Sequence, residues 1–130
     1  MTVLAFACAK LKVGDISSLE AFYTGAFGFV VTTRIAVDEG DAPLRELFFA
    51  TPGSQKPDFA LIEYPGQPVP PPGEAILAFS VADLEAVIAA VVAHGGRDLT
   101  GAIEIPEWAM RLAFVCDPGG HQIELIQATA

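Results

Sequence analysis

Two hydrophobic rhythms run through the chain. Along Val3–Val13 apolar side chains recur at every second position, and Phe29–Val37 is rich in β-branched and aromatic residues; both patterns predict strands. Between them Ile16, Leu19, Phe22, Tyr23, Ala26 and Phe27 step by three and four, which makes one face of a helix. Asp15 precedes that helix, where its carboxylate can accept from the first free N–H groups. Gly28 supplies the positive φ that ends such helices. Leu44–Ala50 and Asp58–Tyr64 predict two more strands, joined through the turn residues Thr51-Pro52-Gly53. The same order then returns. A strand over Ala75–Val81 leads to a helix capped by Asp83, with Leu84, Val87, Ile88, Val91 and Val92 as its stripe and Gly95-Gly96 as its close. Strands follow over Arg97–Ile105, Met110–Cys116 and His121–Gln127.

The return is a repeat in residues as well as in rhythm. Val13-x-Asp15-Ile16 recurs as Val81-x-Asp83-Leu84, at an offset of 83 − 15 = 68, and Gly28 recurs as Gly96 at the same offset. Arg45 through Gly53 matches Arg111 through Gly119 at 66, and Ile62-Glu63 matches Ile123-Glu124 at 61. The loop after the first Pro-Gly absorbs the drift. Five of the ten prolines fall in Tyr64–Gly73, a stiff, extended segment that cannot join a sheet centre. The expectation is one α+β domain of two tandem βαβββ modules, residues 1–64 and 74–130, with residues 65–73 as the linker.

Composition narrows the function. The 130 residues are 52% hydrophobic, and 7 Lys+Arg stand against 16 Asp+Glu, a formal charge of −9. An acidic chain without basic clusters repels a phosphate backbone, which argues against nucleic acid. The longest apolar runs, Val3–Ala9 and Ala86–Ala93, fall short of the ~20 residues of a membrane-spanning helix. No Lys or Arg precedes Val3–Ala9 as a secretion signal would have, so a cytoplasmic protein is expected. Cys8 and Cys116 then read as free, buried thiols.

Particular residues resemble the vicinal oxygen chelate superfamily, which contains glyoxalase I, bleomycin-resistance proteins, fosfomycin-resistance enzymes and extradiol dioxygenases. Val13-Gly14-Asp15-Ile16, followed by Ala21 through Phe29 (AFYTGAFGF), resembles that family's first helix. Phe114 through Leu125 (FVCDPGGHQIEL) resembles its DPxG…EL ending. The resemblance implies a half-barrel of βαβββ modules. It also implies a divalent metal, where a residue of the first strand and one of the last strand of each module converge. Seven positions before each capping Asp stand Cys8 and Ile76, and at the module ends stand Glu63 and Glu124. Ile76 has no lone pair, so only Cys8, Glu63 and Glu124 would remain as ligands. The expectation is therefore no metal cofactor, the alternative being a divalent ion on those three. His94, at the end of the second helix, and His121, three residues from Glu124, are expected on the surface.

Strand parity assigns faces. Ala9, Leu11 and Val13 are expected to pack on the helix, leaving Cys8, Lys10 and Lys12 toward a concave side. Phe59, Leu61 and Glu63, then Ile76, Ala78 and Ser80, then Gln122, Glu124 and Ile126 are expected to line the same cup, a mostly apolar small-molecule site. Glu63 and Glu124 either pair with Lys10, Lys12 or a cationic ligand, or lie solvated at the rim. Trp108 either walls the ligand site or packs at an interface. Arg45 and Arg111 are expected to pair with acidic neighbours. Cys8 reads as an inert thiol. No nucleophile-elbow serine, glycine-rich phosphate loop or nearby Cys-His pair is present. The leading expectation is a small-molecule binder of the bleomycin-resistance type that forms a homodimer, as such half-barrels often do. The alternatives are a glyoxalase-like lyase, isomerase or dioxygenase using Glu63 and Glu124, and a ligand-free regulatory module.

Overall fold

The computed structural model describes residues 2–130. The order is β1 (Ala9–Lys12), α1 (Ile16–Phe27), β2 (Val30–Val37), β3 (Leu44–Ala50), β4 (Phe59–Glu63), β5 (Leu77–Ser80), α2 (Leu84–Ala93), β6 (Arg97–Asp98), β7 (Ile103–Ile105), β8 (Met110–Cys116) and β9 (Gln122–Ala128), with a 3₁₀ turn at Pro106–Trp108 before β8. This is an α+β fold of two sheets and two helices. One sheet runs β1-β4-β3-β2; the other runs β5-β9-β8-β6, with β7 also on β8. In each, the first strand pairs in parallel with the last, and the other pairs are antiparallel. Among the described residues no helix is long and apolar enough to cross a membrane.

The chain divides into two compact units: residues up to Ile16 with Gly28–Pro70, and Ser17–Phe27 with Pro71–Ala130. In the first, β4 is buried on both faces from Phe59 to Ile62. The Phe59 ring stacks on Phe49 at a centroid distance of 5.0 Å and meets Phe29 edge-on at 5.1 Å. In the second, Leu84, Val91, Ala113, Val115, Ile123 and Leu125 form a closed core, and α1 adds Leu19, Phe22, Tyr23 and Ala26. The stripe read for α1 is the buried one, while Val92 of α2, also read as core, is exposed. The strand expected from Val3 begins at Ala9, and the one expected over Arg97–Ile105 breaks into β6 and β7 around Thr100-Gly101, where Gly101 has φ 67°.

Helix starts and ends follow local chemistry. Asp83 caps α2, accepting from the Ala86 N–H at 3.1 Å. Each helix also takes a cap from the strand beside its entry: Glu63 accepts from the Ile16 N–H at 2.9 Å, and Gln127 accepts from the Leu84 N–H at 2.8 Å. A carboxylate at the first turn also meets the positive end of the helix dipole. Gly28 at φ 75° and Gly95 at φ 95° end the helices as expected. Gly96 is needed for a different reason, since a Cβ there would lie 2.5 Å from the Cys116 carbonyl oxygen and 2.7 Å from Val91 Cγ1.

One buried carboxylate ties the second unit together. Asp117 accepts from the Tyr23 hydroxyl at 2.8 Å, from the Gly119 and His121 N–H groups at 2.9 and 3.0 Å, and lies 2.9 Å from His121 Nδ1. Burial first, then the Asp117 charge and hydrogen bond, push the Tyr23 hydroxyl well above the ordinary tyrosine range. It therefore stays a donor at any working pH.

Three stability outcomes follow, each readable by urea denaturation. Tyr23→Phe takes the hydroxyl donor from Asp117 Oδ2 and leaves it His121 Nδ1 alone, and should cost about 1–3 kcal/mol, the range for a hydrogen bond lost at a buried charged group. Gly96→Ala forces a methyl into backbone and should cost about 1–3 kcal/mol or more. Glu63→Ala removes the Ile16 cap and should cost about 0.5–2 kcal/mol, with Glu63→Gln recovering most of it, as Gln127 does naturally.

Candidate functional site

The pleat gives the second sheet one packed face and one open face. Leu77, Phe79, Ile123 and Leu125, register partners across β5 and β9, belong to the packed face with Ala113 and Val115. Ala78 stands beside Glu124, and Ser80 beside Ile126, on the other face. Phe114 flanks Glu124 from β8, and Leu112 flanks Ile126. Ile76 and Gln122 continue this face by parity. The expected Ile76, Ala78, Ser80, Gln122 and Glu124 are thus together on one surface of one unit. Glu124 is half-buried between an alanine and a phenylalanine, and among the described residues no hydrogen bond or ion pair reaches its carboxylate. Trp108 stands 69% exposed in the 3₁₀ turn that leads into β8, followed by Ala109 in the left-handed region at φ 50°. It is not packed into an interface within the chain.

The first sheet departs from expectation. Ala9 stands beside Phe59 and Leu11 beside Leu61, so Phe59 and Leu61 share the face of Ala9 and Leu11 and do not line a cup with Lys10. Parity within one strand was sound, but the phase between β1 and β4 is visible only in their register. The opposite face carries Lys10 beside Ala60 and Lys12 beside Ile62, with Phe48 and Glu46 of β3 next to them. Glu63 is not a cup residue either, because its carboxylate is spent on the Ile16 N–H. Lys10 pairs with neither Glu63 nor Glu124. Its Nζ lies 2.7 Å from Oε2 of the buried Glu46, short for an ion pair but off the direction of a hydrogen bond. Contact with that carboxylate holds Lys10 above the ordinary lysine range. The Lys10 ammonium lies 5.1 Å from the Phe48 ring centre, and Lys12 lies 5.5 Å from that of Tyr64.

The two units can be aligned by equivalent backbone bonds, and this corrects the repeat. Val13 N–H donates to the Ile62 carbonyl at 2.9 Å and Val81 N–H to the Ile126 carbonyl at 2.8 Å. The last strands are therefore offset by 126 − 62 = 64, not 61. Glu63 corresponds to Gln127, and both cap helices; Glu124 corresponds to Ala60. The first strands keep the offset of 68, so Cys8 corresponds to Ile76. At the positions where the family resemblance implies a divalent ion, one unit offers Cys8 and Ala60, the other Ile76 and Glu124. One thiol and one carboxylate beside two aliphatic side chains do not make a chelating set. Among the described residues no three His, Cys, Asp or Glu side chains gather to hold an ion.

The remaining polar residues have structural employment. His94 is exposed and caps α2, its Nδ1 2.8 Å from the Ala90 carbonyl. His121, expected on the surface, is 12% exposed in its side chain because Asp117 holds it. Arg45 pairs with Asp38, and Arg111 pairs with Glu85 and with Glu104, the latter at 2.6 Å from Nε. Both cysteines are free thiols, Cys116 buried and Cys8 half-buried. Phe114 and Leu112 on the open face of the second sheet, and Glu46 and Phe48 beside the lysines of the first, are among the face residues that the reading of the sequence missed. Their signal was available, since Glu46 shares the parity of Phe48, and Phe114 that of Cys116.

A family model described as the Glyoxalase/Bleomycin resistance protein/Dioxygenase superfamily matches residues 5–125. A glyoxalase family protein from Bacillus cereus has a TM-score of 0.84 at 15% identity, over 100% of this chain and 97% of that one. A glyoxalase-related enzyme from Fulvimarina pelagi has a TM-score of 0.65 at 24% identity, over 96% and 88%. Glyoxalase I from Zea mays has a TM-score of 0.70 at 23% identity over 93% of this chain, which spans 45% of the maize chain. At these identities the likeness is one of fold. No curated protein sequence matches. A duplicated βαβββ order, the AFYTG helix tied to the DPGG turn through Tyr23 and Asp117, and a family match across nearly the whole length converge: the chain belongs to the glyoxalase/bleomycin resistance protein/dioxygenase superfamily.

Proposed function

We propose that the open face of the β5-β9-β8 sheet binds a small organic cation, without a resident metal and without chemistry of its own. The observation that carries this reading is Glu124, a half-buried carboxylate bordered by Ala78, Phe114 and, along its own strand, Ile126, with no partner among the described residues. A carboxylate removed from water without a counter-charge is unfavourable, and a ligand ammonium restores the balance. The apolar neighbours suit the body of such a ligand, and the net charge of −9 favours the approach of a cation. Trp108, exposed at the entry to β8, supplies a ring that can stack on the guest. The thiols Cys8 and Cys116 suit a reducing compartment, and we place the protein in the cytoplasm.

The test uses a panel of alkyl and aryl primary and quaternary ammonium compounds beside their neutral isosteres, read by calorimetry and by Trp108 fluorescence. Cationic members should bind more tightly, and Glu124→Gln should weaken them by about ten- to a hundredfold while leaving the neutral members unchanged. Equal binding of charged and neutral members would remove the basis of the proposal. Elemental analysis of protein purified without chelators separates the metal-dependent alternative. Near-stoichiometric Mn, Ni, Zn or Fe that is lost in Glu124→Ala would favour a glyoxalase-like enzyme instead.

A further inference from the structure

The face that carries Glu124 also carries a charge of the opposite sign. In the β8–β9 register Cys116 stands beside Gln122, and in the β6–β8 register Arg97 stands beside Cys116. Directly paired residues share a face, so Arg97 belongs with Gln122 and Glu124 on the open side of this sheet. Its side chain is exposed, and among the described residues no hydrogen bond or ion pair engages the guanidinium. In a chain of 16 acidic and 7 basic residues that is unusual, and Arg45 and Arg111 are both met by carboxylates. Glu124 lies two residues farther along the sheet and two strands across. At about 4.8 Å between strands and about 3.4 Å per residue, the two Cα atoms are about 12 Å apart. The ground between them is apolar. Phe114 stands beside Glu124, and Leu99, whose N–H donates to the Phe114 carbonyl at 2.9 Å, extends that row at 47% exposure.

We propose that this face takes a zwitterion, with an ammonium on Glu124, a carboxylate on Arg97 and an aliphatic or aryl body across Phe114 and Leu99. The inference rests on the cation reading above and narrows its guest from any organic cation to an amino acid with well-separated charges. A guanidinium offers a planar pair of donors that matches a carboxylate. A lone anion approaches a chain of net charge −9 unfavourably, whereas a zwitterion carries its own counter-charge. With about 3 Å taken up by the hydrogen bond at each end, about 6 Å remains between the charges of the guest, the span of about four methylenes. An ammonium and a carboxylate on one carbon are too close together to reach both residues.

Calorimetry on the full chain with straight-chain ω-amino acids, from glycine to about eight carbons, beside their methyl esters tests this. Affinity should peak at about four to five methylenes. There the free acids should bind about tenfold more tightly than the esters, which keep only the ammonium. Arg97→Gln should abolish that tenfold advantage and leave ester binding unchanged, with no change in thermal unfolding, since the side chain is exposed. Glu124→Gln should weaken acids and esters alike. Acids and esters that bind equally, or an advantage of the acids that survives Arg97→Gln, overturn the zwitterion and leave the cation reading standing. Esters whose binding ignores Glu124→Gln overturn the cation reading, and the zwitterion falls with it. A chain that binds neither series overturns both.

Discussion

Two backbone hydrogen bonds, from Val13 N–H to the Ile62 carbonyl and from Val81 N–H to the Ile126 carbonyl, set the phase of the whole molecule. Each lies at the end of a parallel pair, and a parallel pair slipped by one residue would turn every side chain of one strand to the opposite face. With the phase fixed, Leu11 must share a face with Leu61, and Ala78 with Glu124. The strand ends follow as well. One residue past Ile62 stands Glu63 and one past Ile126 stands Gln127, each within reach of the first N–H of the helix that β1 or β5 feeds. Sheet register and helix capping are therefore a single constraint met twice. It is the reason a carboxylate at position 63 serves the helix and not the open face.

The second unit depends on Asp117 in a comparable way. A buried aspartate is tolerated only where its lone pairs are used, and here a tyrosine hydroxyl, two backbone N–H groups and an imidazole use them. The Tyr23 hydroxyl comes from α1, and the other donors come from the turn between β8 and β9. One side chain thus determines where α1 sits and how the turn closes. Gly96 works beside it, letting the end of α2 lie against the Cys116 carbonyl and the Phe22 ring. Helix and turn are held by geometry that neither could keep alone.

Much of this was legible in the sequence. Helical stripes, strand alternation and glycine stops are local signals, and the elements they predict are present, Leu44–Ala50 and Met110–Cys116 to the residue. What failed was relational. Ile62-Glu63 looks like Ile123-Glu124, yet Glu63 aligns with Gln127 because the loops before the two last strands differ in length, and a dipeptide match carries no register. Phe59 and Leu61 were turned to the wrong face by the same missing phase. Lys10 pairs with Glu46, a residue 36 positions away on β3 that only the strand order brings near. The stripe expected for α2 includes Val92, but at 3.6 residues per turn that residue lies about 80° round the helix from Leu84 and is exposed, while Val91 beside it is fully buried.

Glu63, Glu46 and Glu124, none of them fully exposed, show what the fold does with negative charge on its strands. Glu63 is met by a helix N-terminus and Glu46 by a lysine, both supplied by the chain itself. Each thereby exchanges hydration for a fixed partner, which keeps an ionised group partly withdrawn from water without a large penalty. Glu124 receives neither. Its lateral neighbours are a methyl group and an aromatic ring, and its counterpart in the first unit is Ala60. In a protein that partners its other withdrawn acids so consistently, a lone acid on a mostly apolar open face is the observation on which the proposed cation site rests.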